Sequence, residues 1–196
     1  MANERLPLFP LGQPLFPGIR LELQILEQRY LRLIRQSMRE ESEFGIVATE
    51  DSIDVGEHAA IYDFGLAVKV VDWKQLENGL LSITVCGEKR FNLHSTETEE
   101  DGLVIGQVEW LPERPEPENC SESSLLVMES LLRDLAQHPA LNWVSLPEQM
   151  SVSDLGWKLA QVLPAPTVKR VQLLAESSAI QRLAKIQILI DELSNI

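Results

Sequence analysis

LPLFPLGQPLFPGIRLELQILEQRY, residues 6–30, is the most informative segment of this chain for its fold. It places four prolines, two phenylalanines and two glycines in an apolar opening before it becomes amphipathic. Each proline fixes φ, removes a backbone donor and holds the preceding residue extended, so the opening predicts extended chain broken by turns. Phe16-Pro17-Gly18 predicts a tight turn, because proline presets φ and glycine tolerates positive φ. The period-two alternation of residues 21–25 then predicts a half-buried strand.

The chain up to Trp110 is mostly β in its patterning. Further candidate strands are residues 44–49, 56–62, 66–72, 80–85 and 103–108. Asn78-Gly79 lies between two of them and is a strong hairpin signal, because both residue types tolerate positive φ. We therefore predict a β-hairpin over residues 66–85, with Trp73 near its loop end.

One helix, residues 27–41, interrupts the strands. Its apolar side chains gather on one side at helical spacing, namely Tyr30, Leu33, Ile34 and Met38. The opposite side carries Arg29, Arg32, Arg35 and Arg39. One interpretation is an amphipathic helix that covers an open end of the β domain and leaves its arginines in water. The other is a basic stripe that binds an anion, an acidic peptide or RNA, although the glutamates directly after it weaken that interpretation.

A proline-rich, charged segment, PERPEPE at residues 112–118, separates the β part from a helical part. We predict domains at residues 1–111 and 121–196 with a linker at 112–120. Apolar 3–4 spacing predicts helices over residues 123–137, 152–163, 168–175 and 179–193, and Ser151 begins a capping box for the second. In the last helix, the predicted apolar seam is Ile180, Leu183, Ile186, Ile190 and Leu193.

Composition limits the function classes. The net charge of −13 disfavours non-specific binding to nucleic acid or to an anionic membrane. No apolar run is long enough to span a bilayer, and the N-terminus lacks the apolar core of a signal peptide, so we expect a cytoplasmic protein. Cys86 and Cys120 have no C-x-x-C spacing and suggest two reduced thiols.

Catalytic and metal-binding patterns are missing from the sequence. His58, His94 and His138 lie far apart and fit no metal-ligand spacing. Asp51, Asp54 and Glu57 are close together but lack the rest of a calcium loop. There is no G-x-S-x-G nucleophile motif and no G-x-x-x-x-G-K-[ST] phosphate loop. The sequence therefore implies no cofactor, no metal and no catalytic residue.

Several segments resemble the N-terminal substrate-binding domain of the Lon protease family. Residues 6–11, 15–18 and Arg29-Tyr30 match its opening, with Leu26 where a phenylalanine is usual. Phe44-Gly45-Ile46-Val47 is similar to its FGVV strand, and residues 85–91, VCGEKRF, are similar to a V-x-G-x-x-RF strand end. The helical tail is matched by residues 155–163, 168–174 and Gln181-Arg182-Leu183. Together these segments cover nearly the whole chain.

The resemblance implies an α+β fold, in which a PUA-like pseudo-barrel of mostly antiparallel strands with one helix is followed by a helical bundle. It also implies a role in recognising unfolded or regulatory polypeptides, in assembly, or with a protease or chaperone system. A full-length Lon protease continues into ATPase and proteolytic modules, whereas this sequence ends at Ile196. We therefore expect a stand-alone, non-enzymatic binding domain, which acts as an adaptor or a chaperone-like factor and for which an oligomer is possible.

Two binding modes fit that role: strand addition to an exposed β edge, and an apolar groove between the β domain and the helices. The candidate polypeptide-binding residues are Phe16, Pro17, Tyr62, Phe64 and Trp73. The alternative for Phe16 and Tyr62 is burial in the core. The alternative function is RNA binding by a PUA-like domain through Arg29, Arg32, Arg35 and Arg39, which the acidic balance of the chain argues against.

Overall fold

A computed structural model describes residues 4–50, 60–114, 122–141, 144 and 146–194. The chain folds into two compact units, Met1–Leu111 and Pro112–Ile196. The first unit contains β1 (Glu4–Leu11), β2 (Arg20–Ile25), α1 (Gln28–Glu40), β3 (Phe44–Thr49), β4 (Ile61–Gln75), β5 (Leu81–Thr98) and β6 (Val104–Trp110). The second contains α2 (Glu122–Ala136), a short 3₁₀ turn (Pro139–Leu141), α3 (Val152–Val162), α4 (Thr167–Ala175) and α5 (Ala179–Ser194).

The six strands form one mixed sheet that closes on itself. Their order is β2-β5-β4-β3-β1-β6, and β5 also pairs with β6, which completes a barrel. Among the described strands, the β1–β3 pair is parallel and the other pairs are antiparallel. The prediction of an α+β chain with a mostly antiparallel pseudo-barrel, one helix in it and helices after it is confirmed. The use of residues 112–120 as a linker between independent domains stays a prediction, and residues 115–120 lie outside the described part.

Strand lengths differ from the sequence prediction. The hairpin around Asn78-Gly79 forms as predicted, with Gly79 at φ +82° and a 2.8 Å hydrogen bond from the Leu76 N–H to the Leu80 carbonyl. Its arms are longer than predicted, because β5 continues seven residues beyond Phe91, through Thr98, to pair with β6. Residues 85–91 are therefore the middle of a strand, not its end. Of the predicted strand 56–62, residues 56–59 lie outside the described part.

The Phe16-Pro17-Gly18 turn docks onto the middle of β5. Gly18, at φ +72°, donates its N–H to the Gly87 carbonyl at 2.9 Å, and the Gly87 N–H donates to the Ile19 carbonyl at 3.0 Å. A β-carbon at position 87 would lie 2.5 Å from the Phe16 carbonyl oxygen. Gly87 is thus required for close backbone approach. Two segments that lie far apart in sequence are in contact here.

The barrel core is aliphatic with one central aromatic ring. One cluster of buried side chains lies inside the barrel, namely Leu6, Leu8, Val47, Ala67, Phe91, Leu93 and Val108. The Phe91 ring covers Gly65, where a β-carbon would clash with the ring. Trp110 packs edge-on against the same ring, with the ring centroids 6.2 Å apart. Cross-strand contacts of this kind fix the register of a sheet whose inner face is buried.

In the helical unit, a buried cation replaces part of the predicted apolar seam. Trp157 is buried, and so is Arg182, whose side chain is 0% exposed. Of the predicted seam of α5, Leu183 and Ile186 are buried, whereas Ile180 is 38% exposed. The seam prediction is wrong at that position, because Arg182 and Leu189 lie on the buried side instead.

The predicted cap of α3 is present: the Asp154 N–H donates to Ser151 Oγ at 3.0 Å. No helix in the described part is long and apolar enough to cross a bilayer.

Candidate functional site

The candidate site is a three-stranded arm that we define as β2, residues 81–86 of β5 and residues 69–75 of β4. Leu23 lies opposite Ile83, and Ile83 lies opposite Trp73. Because directly opposed residues share a face of the sheet, these three side chains form one apolar row across the arm. Burial changes along the row: Ile83 is 0% exposed and Trp73 is 57% exposed. The row therefore ends in a large, accessible aromatic ring.

The opposite face of the arm is polar. Lys74 Nζ lies 2.9 Å from Glu22 Oε1, and Ser82 Oγ donates to the same oxygen at 2.7 Å. The hydrogen bonds from Lys74 and Ser82 hold the pKa of Glu22 below its ordinary value. The arm is thus amphipathic: Glu22, Lys74 and Ser82 contact one another on one face, and the apolar row lies on the other.

The five predicted polypeptide-binding residues do not form one cluster. Phe16 is fully buried, and Pro17, Tyr62 and Phe64 are half-buried, whereas Trp73 is mostly exposed. Phe64 and Trp73 lie nine residues apart on β4, which at about 3.3 Å per residue is about 30 Å. Phe16 and Pro17 lie beside Gly87, between these two positions. Trp73 is the member of the set whose side chain is most available to a ligand.

The predicted arginine stripe is largely occupied by the chain itself. Arg29 Nη1 donates to the Gly102 carbonyl at 2.8 Å. Arg32 Nε donates to Asp101 at 2.8 Å, and Arg32 also pairs with Glu99. Of the other two predicted residues, Arg39 pairs with the adjacent Glu40 at 2.9 Å, and Arg35 is exposed.

Arg32 remains 45% exposed, as the amphipathic interpretation expects, but Arg32 and Arg29 also contact the acidic loop at residues 97–102. The turn between β5 and β6 brings the loop's carboxylates against α1. Three of the four arginines therefore already have anionic or carbonyl partners within the chain, which lowers the affinity of the stripe for an external anion.

The pairing of α1 with the acidic loop predicts a specific pH dependence. Hydrogen bonds from Arg32 and from the Leu103 N–H hold the pKa of Asp101 below its ordinary value. A carboxyl whose pKa is lowered by folding stabilises the folded state above its unfolded pKa, and this contribution is lost as the pH falls through the folded pKa. We therefore expect the Arg32–Asp101 contact to persist at neutral pH and to break only below about pH 4.

The check is an NMR titration of the Asp101 carboxyl carbon from about pH 6 to about pH 2. Arg32→Gln should raise the Asp101 pKa toward the ordinary value of an aspartate, while the hydrogen bond from the Leu103 N–H keeps part of the lowering. An Asp101 carboxyl that titrates at its ordinary value in the unmodified chain would contradict the contact.

A cleft lies between α1 and β1. This cleft has a volume of about 640 Å³ and a strongly charged lining. Five glutamates line it, against two basic residues: Glu4, Glu40, Glu41, Glu43 and Glu99, with Arg5 and Lys69. Lys69 already approaches Glu43, with Nζ 3.6 Å from Oε1. Such a lining suits a polar group rather than an apolar side chain.

Within the described ranges, no three His, Cys, Asp or Glu side chains are grouped so that they could hold a metal ion. His94 faces Glu109 at 3.2 Å, and Cys86 is half-buried. The sequence candidates Asp51, Asp54, Glu57, His58 and Cys120 lie outside the described residues.

Comparisons with known proteins give a consistent result. The family described as the ATP-dependent protease La (LON) substrate-binding domain matches residues 5–192 of this chain. The Lon protease of Brevibacillus choshinensis is 29% identical over 158 residues, which are 79% of this chain and 20% of that protein. Protein cereblon of Danio rerio is 29% identical over 126 residues, which are 58% of this chain and 27% of that protein. The match therefore spans only about a fifth to a quarter of the length of these curated relatives.

A solved structure matches almost completely. The crystal structure of a Lon N-terminal domain protein from Xanthomonas campestris has a TM-score of 0.74 and 27% sequence identity, and the match covers 94% of this chain and 98% of that one. The matched region includes the barrel strands and the helices that follow them. No ATPase or peptidase domain takes part in these matches.

Proposed function

Because the chain belongs to the ATP-dependent protease La (LON) substrate-binding domain family, we propose that it is a non-catalytic module that binds segments of non-native or regulatory polypeptides. The structural observation that carries this proposal is the apolar row Leu23–Ile83–Trp73, which ends in an exposed indole. A large aromatic ring beside buried aliphatic side chains is the kind of surface on which apolar side chains of an unfolded chain dock.

The acidic balance of the chain fits this role better than nucleic-acid binding. With a net charge of −13, the protein repels RNA and DNA at a distance. Arg29 and Arg32, which carried the RNA alternative, are engaged by residues 99–102. Binding through Trp73 needs no positive surface, because its free energy comes from the removal of apolar area from water.

In the cell, we propose that the domain acts as a cytoplasmic adaptor or chaperone-like factor, which holds polypeptide for a protease or chaperone system. The ATP-driven and proteolytic steps of such a system would come from other components, since the matched part of the Lon relative is a fifth of its length. Measurable ATP-dependent proteolysis by the purified chain alone would contradict this assignment.

Trp73→Ala is expected to weaken the binding of an unfolded polypeptide about 30-fold. The exposed part of an indole buries about 100 Å² against a ligand, which contributes about 2 kcal/mol, and 1.4 kcal/mol is a tenfold change in Kd. The measurement is fluorescence anisotropy with labelled, reduced and carboxymethylated lactalbumin, a permanently unfolded chain.

The matched control is Ile188→Ala on α5. Ile188 is 58% exposed and Trp73 is 57% exposed, so both substitutions remove a similarly accessible apolar side chain. We expect the control to bind within twofold of the unmodified chain. Equal affinities for the two variants would show that the row is not the binding surface.

A further inference from the structure

We propose that the open edge of β2 binds an extended polypeptide segment by strand addition, so that the segment becomes a seventh strand of the sheet beside Arg20–Ile25. This inference rests on the proposed function and specifies which conformation and side-chain pattern of polypeptide the arm accepts. Four observations support it: the direction of the β2 backbone groups, the difference between the two edges of the arm, the alternation of side chains along β2, and its unbroken register.

The first observation is the direction of the backbone groups in β2. The Gly87 N–H donates to the Ile19 carbonyl, so Ile19 directs its carbonyl toward β5. In an antiparallel pair, residues that direct their backbone groups toward the partner alternate with residues that direct them away. The pairing of Arg20 with Cys86 continues this register through Ile25. It follows that Leu21, Leu23 and Ile25 bond to β5.

The other three residues of β2 are Arg20, Glu22 and Gln24. Their N–H and C=O groups therefore point away from β5, toward the open edge of β2. Among the described strands, β2 pairs with β5 alone. A row of outward donors and acceptors on an edge strand is a template for another strand.

The other edge of the arm is blocked. On β4, the Trp73 N–H donates to the Asp72 carboxylate at 2.8 Å, so a side chain already satisfies this donor. The register of β4 also shifts between Val70 and Asp72, which kinks that edge. By contrast, all six residues of β2 pair with β5 without a shift, and none of them is proline. Of the two edges, β2 is the one that can accept a strand.

The side chains of β2 indicate which segment fits. Leu21, Leu23 and Ile25 lie on the apolar face, in the rows that contain Val85, Ile83 and Leu81. A seventh strand would extend these rows, so its alternate residues must be apolar. On the polar face, Arg20 is exposed, whereas Glu22 is held by Lys74 and Ser82. The geometry therefore favours an extended segment with alternating apolar residues and an acidic side chain beside Arg20.

A proline substitution tests the edge without breaking the sheet. The Glu22 N–H points to the open side, so Glu22→Pro removes an outward donor and no β2–β5 hydrogen bond; proline is tolerated on an edge strand in this orientation. Glu22→Ala is the matched control, because it removes the same carboxylate but keeps the donor. With labelled carboxymethylated lactalbumin, we expect the Kd of the proline variant to be about tenfold higher than that of the alanine variant. Equal Kd values would overturn the proposal.

Amide hydrogen exchange on the unmodified chain gives an independent test that does not depend on the folding of a variant. Saturating polypeptide should slow the exchange of the Glu22 and Gln24 amides at least tenfold. Unchanged exchange at these amides overturns strand addition, and if Trp73→Ala still weakens binding, the proposed function survives. Absence of saturable binding to the unmodified chain overturns both. Slow exchange that depends on protein concentration without polypeptide identifies a second copy as the occupant, which also overturns the proposal.

Discussion

Gly87→Ala is expected to destabilise the β unit by about 3 kcal/mol, because the substitution forces a backbone clash that side-chain motion cannot relieve. The added β-carbon would lie 2.5 Å from the Phe16 carbonyl oxygen and 3.2 Å from its carbonyl carbon. It would also lie 2.5 Å from Leu66 Cδ2, but a leucine terminus can rotate away. The Phe16 backbone cannot, since the turn that contains it is held by the Gly18–Gly87 and Gly87–Ile19 hydrogen bonds.

Gly12→Ala is the control for this substitution. Gly12 lies in the same connection between β1 and β2, and a β-carbon there would meet nothing within 4 Å. We expect its free energy of unfolding to lie within about 1 kcal/mol of the unmodified chain, since a glycine-to-alanine change at a compatible site acts mainly on the unfolded state. Urea denaturation followed by circular dichroism measures both variants. Coincident unfolding curves for them would refute the docking of the turn onto β5.

Arg182→Ala is expected to be the most damaging single truncation in the helical unit. The Arg182 side chain is fully buried, and its guanidinium carbon lies 3.2 Å from the centroid of the Trp157 ring. Its Nη2 atom donates to Glu113 at 2.5 Å, and its Nη1 atom donates to the Glu176 carbonyl at 3.2 Å. One cation thus joins the start of this unit, α3 and the connection before α5.

The expected loss of unfolding free energy in Arg182→Ala follows from the groups that the substitution leaves without their partner. The Glu113 side chain is 37% exposed and can regain water, so the stranded carboxylate costs little. The cavity against Trp157 and the lost bond to a backbone carbonyl remain, and together they cost about 3 kcal/mol. Arg182→Lys should recover only part of this, because an ammonium group cannot reproduce the planar fork.

The exposed neighbour Gln181 supplies the control, as Gln181→Ala removes a long polar side chain one position away. Urea unfolding of each variant followed by far-ultraviolet circular dichroism reports on the stability of the helices. An Arg182→Ala variant as stable as Gln181→Ala would mean that the buried cation does not hold the helices together.

Local signals in the sequence predicted the elements whose structure is locally determined. The Asn78-Gly79 turn has its positive φ, and Ser151 caps α3, because both depend on residues within three positions of each other. The apolar opening and its turn were predicted for the same reason. The distribution of strands in the first unit and helices in the second follows from hydrophobic periodicity alone.

Features that depend on long-range register could not be predicted in this way. Arg32 and Asp101 are 69 residues apart, and their contact exists because the β5–β6 turn reaches α1. The extension of β5 beyond Phe91 needs β6 as a partner, so its length is a property of the closed barrel. The burial of Arg182 could not be predicted, because an arginine beside an apolar seam is usually exposed. Its contacts with Trp157 and Glu113 show why this one is buried.

The candidate site shows the same limit. Residue type and position in predicted turns selected five candidate residues. The sequence alone does not show that Phe16 is buried whereas Trp73 is exposed at the end of the apolar row. That difference follows from the pairing of Trp73 with Ile83 and of Ile83 with Leu23, which no single segment encodes.

The most direct measurement is a titration of the unmodified protein against labelled, carboxymethylated lactalbumin, followed by anisotropy at about 50 mM and about 300 mM salt. Binding by apolar contact should be saturable, and its Kd should change less than about threefold between the two salt concentrations, because only ionic contacts between exposed charges are strongly screened. The absence of saturable binding, or binding that disappears at the higher salt concentration, would contradict the assignment of this domain as an apolar polypeptide-binding module.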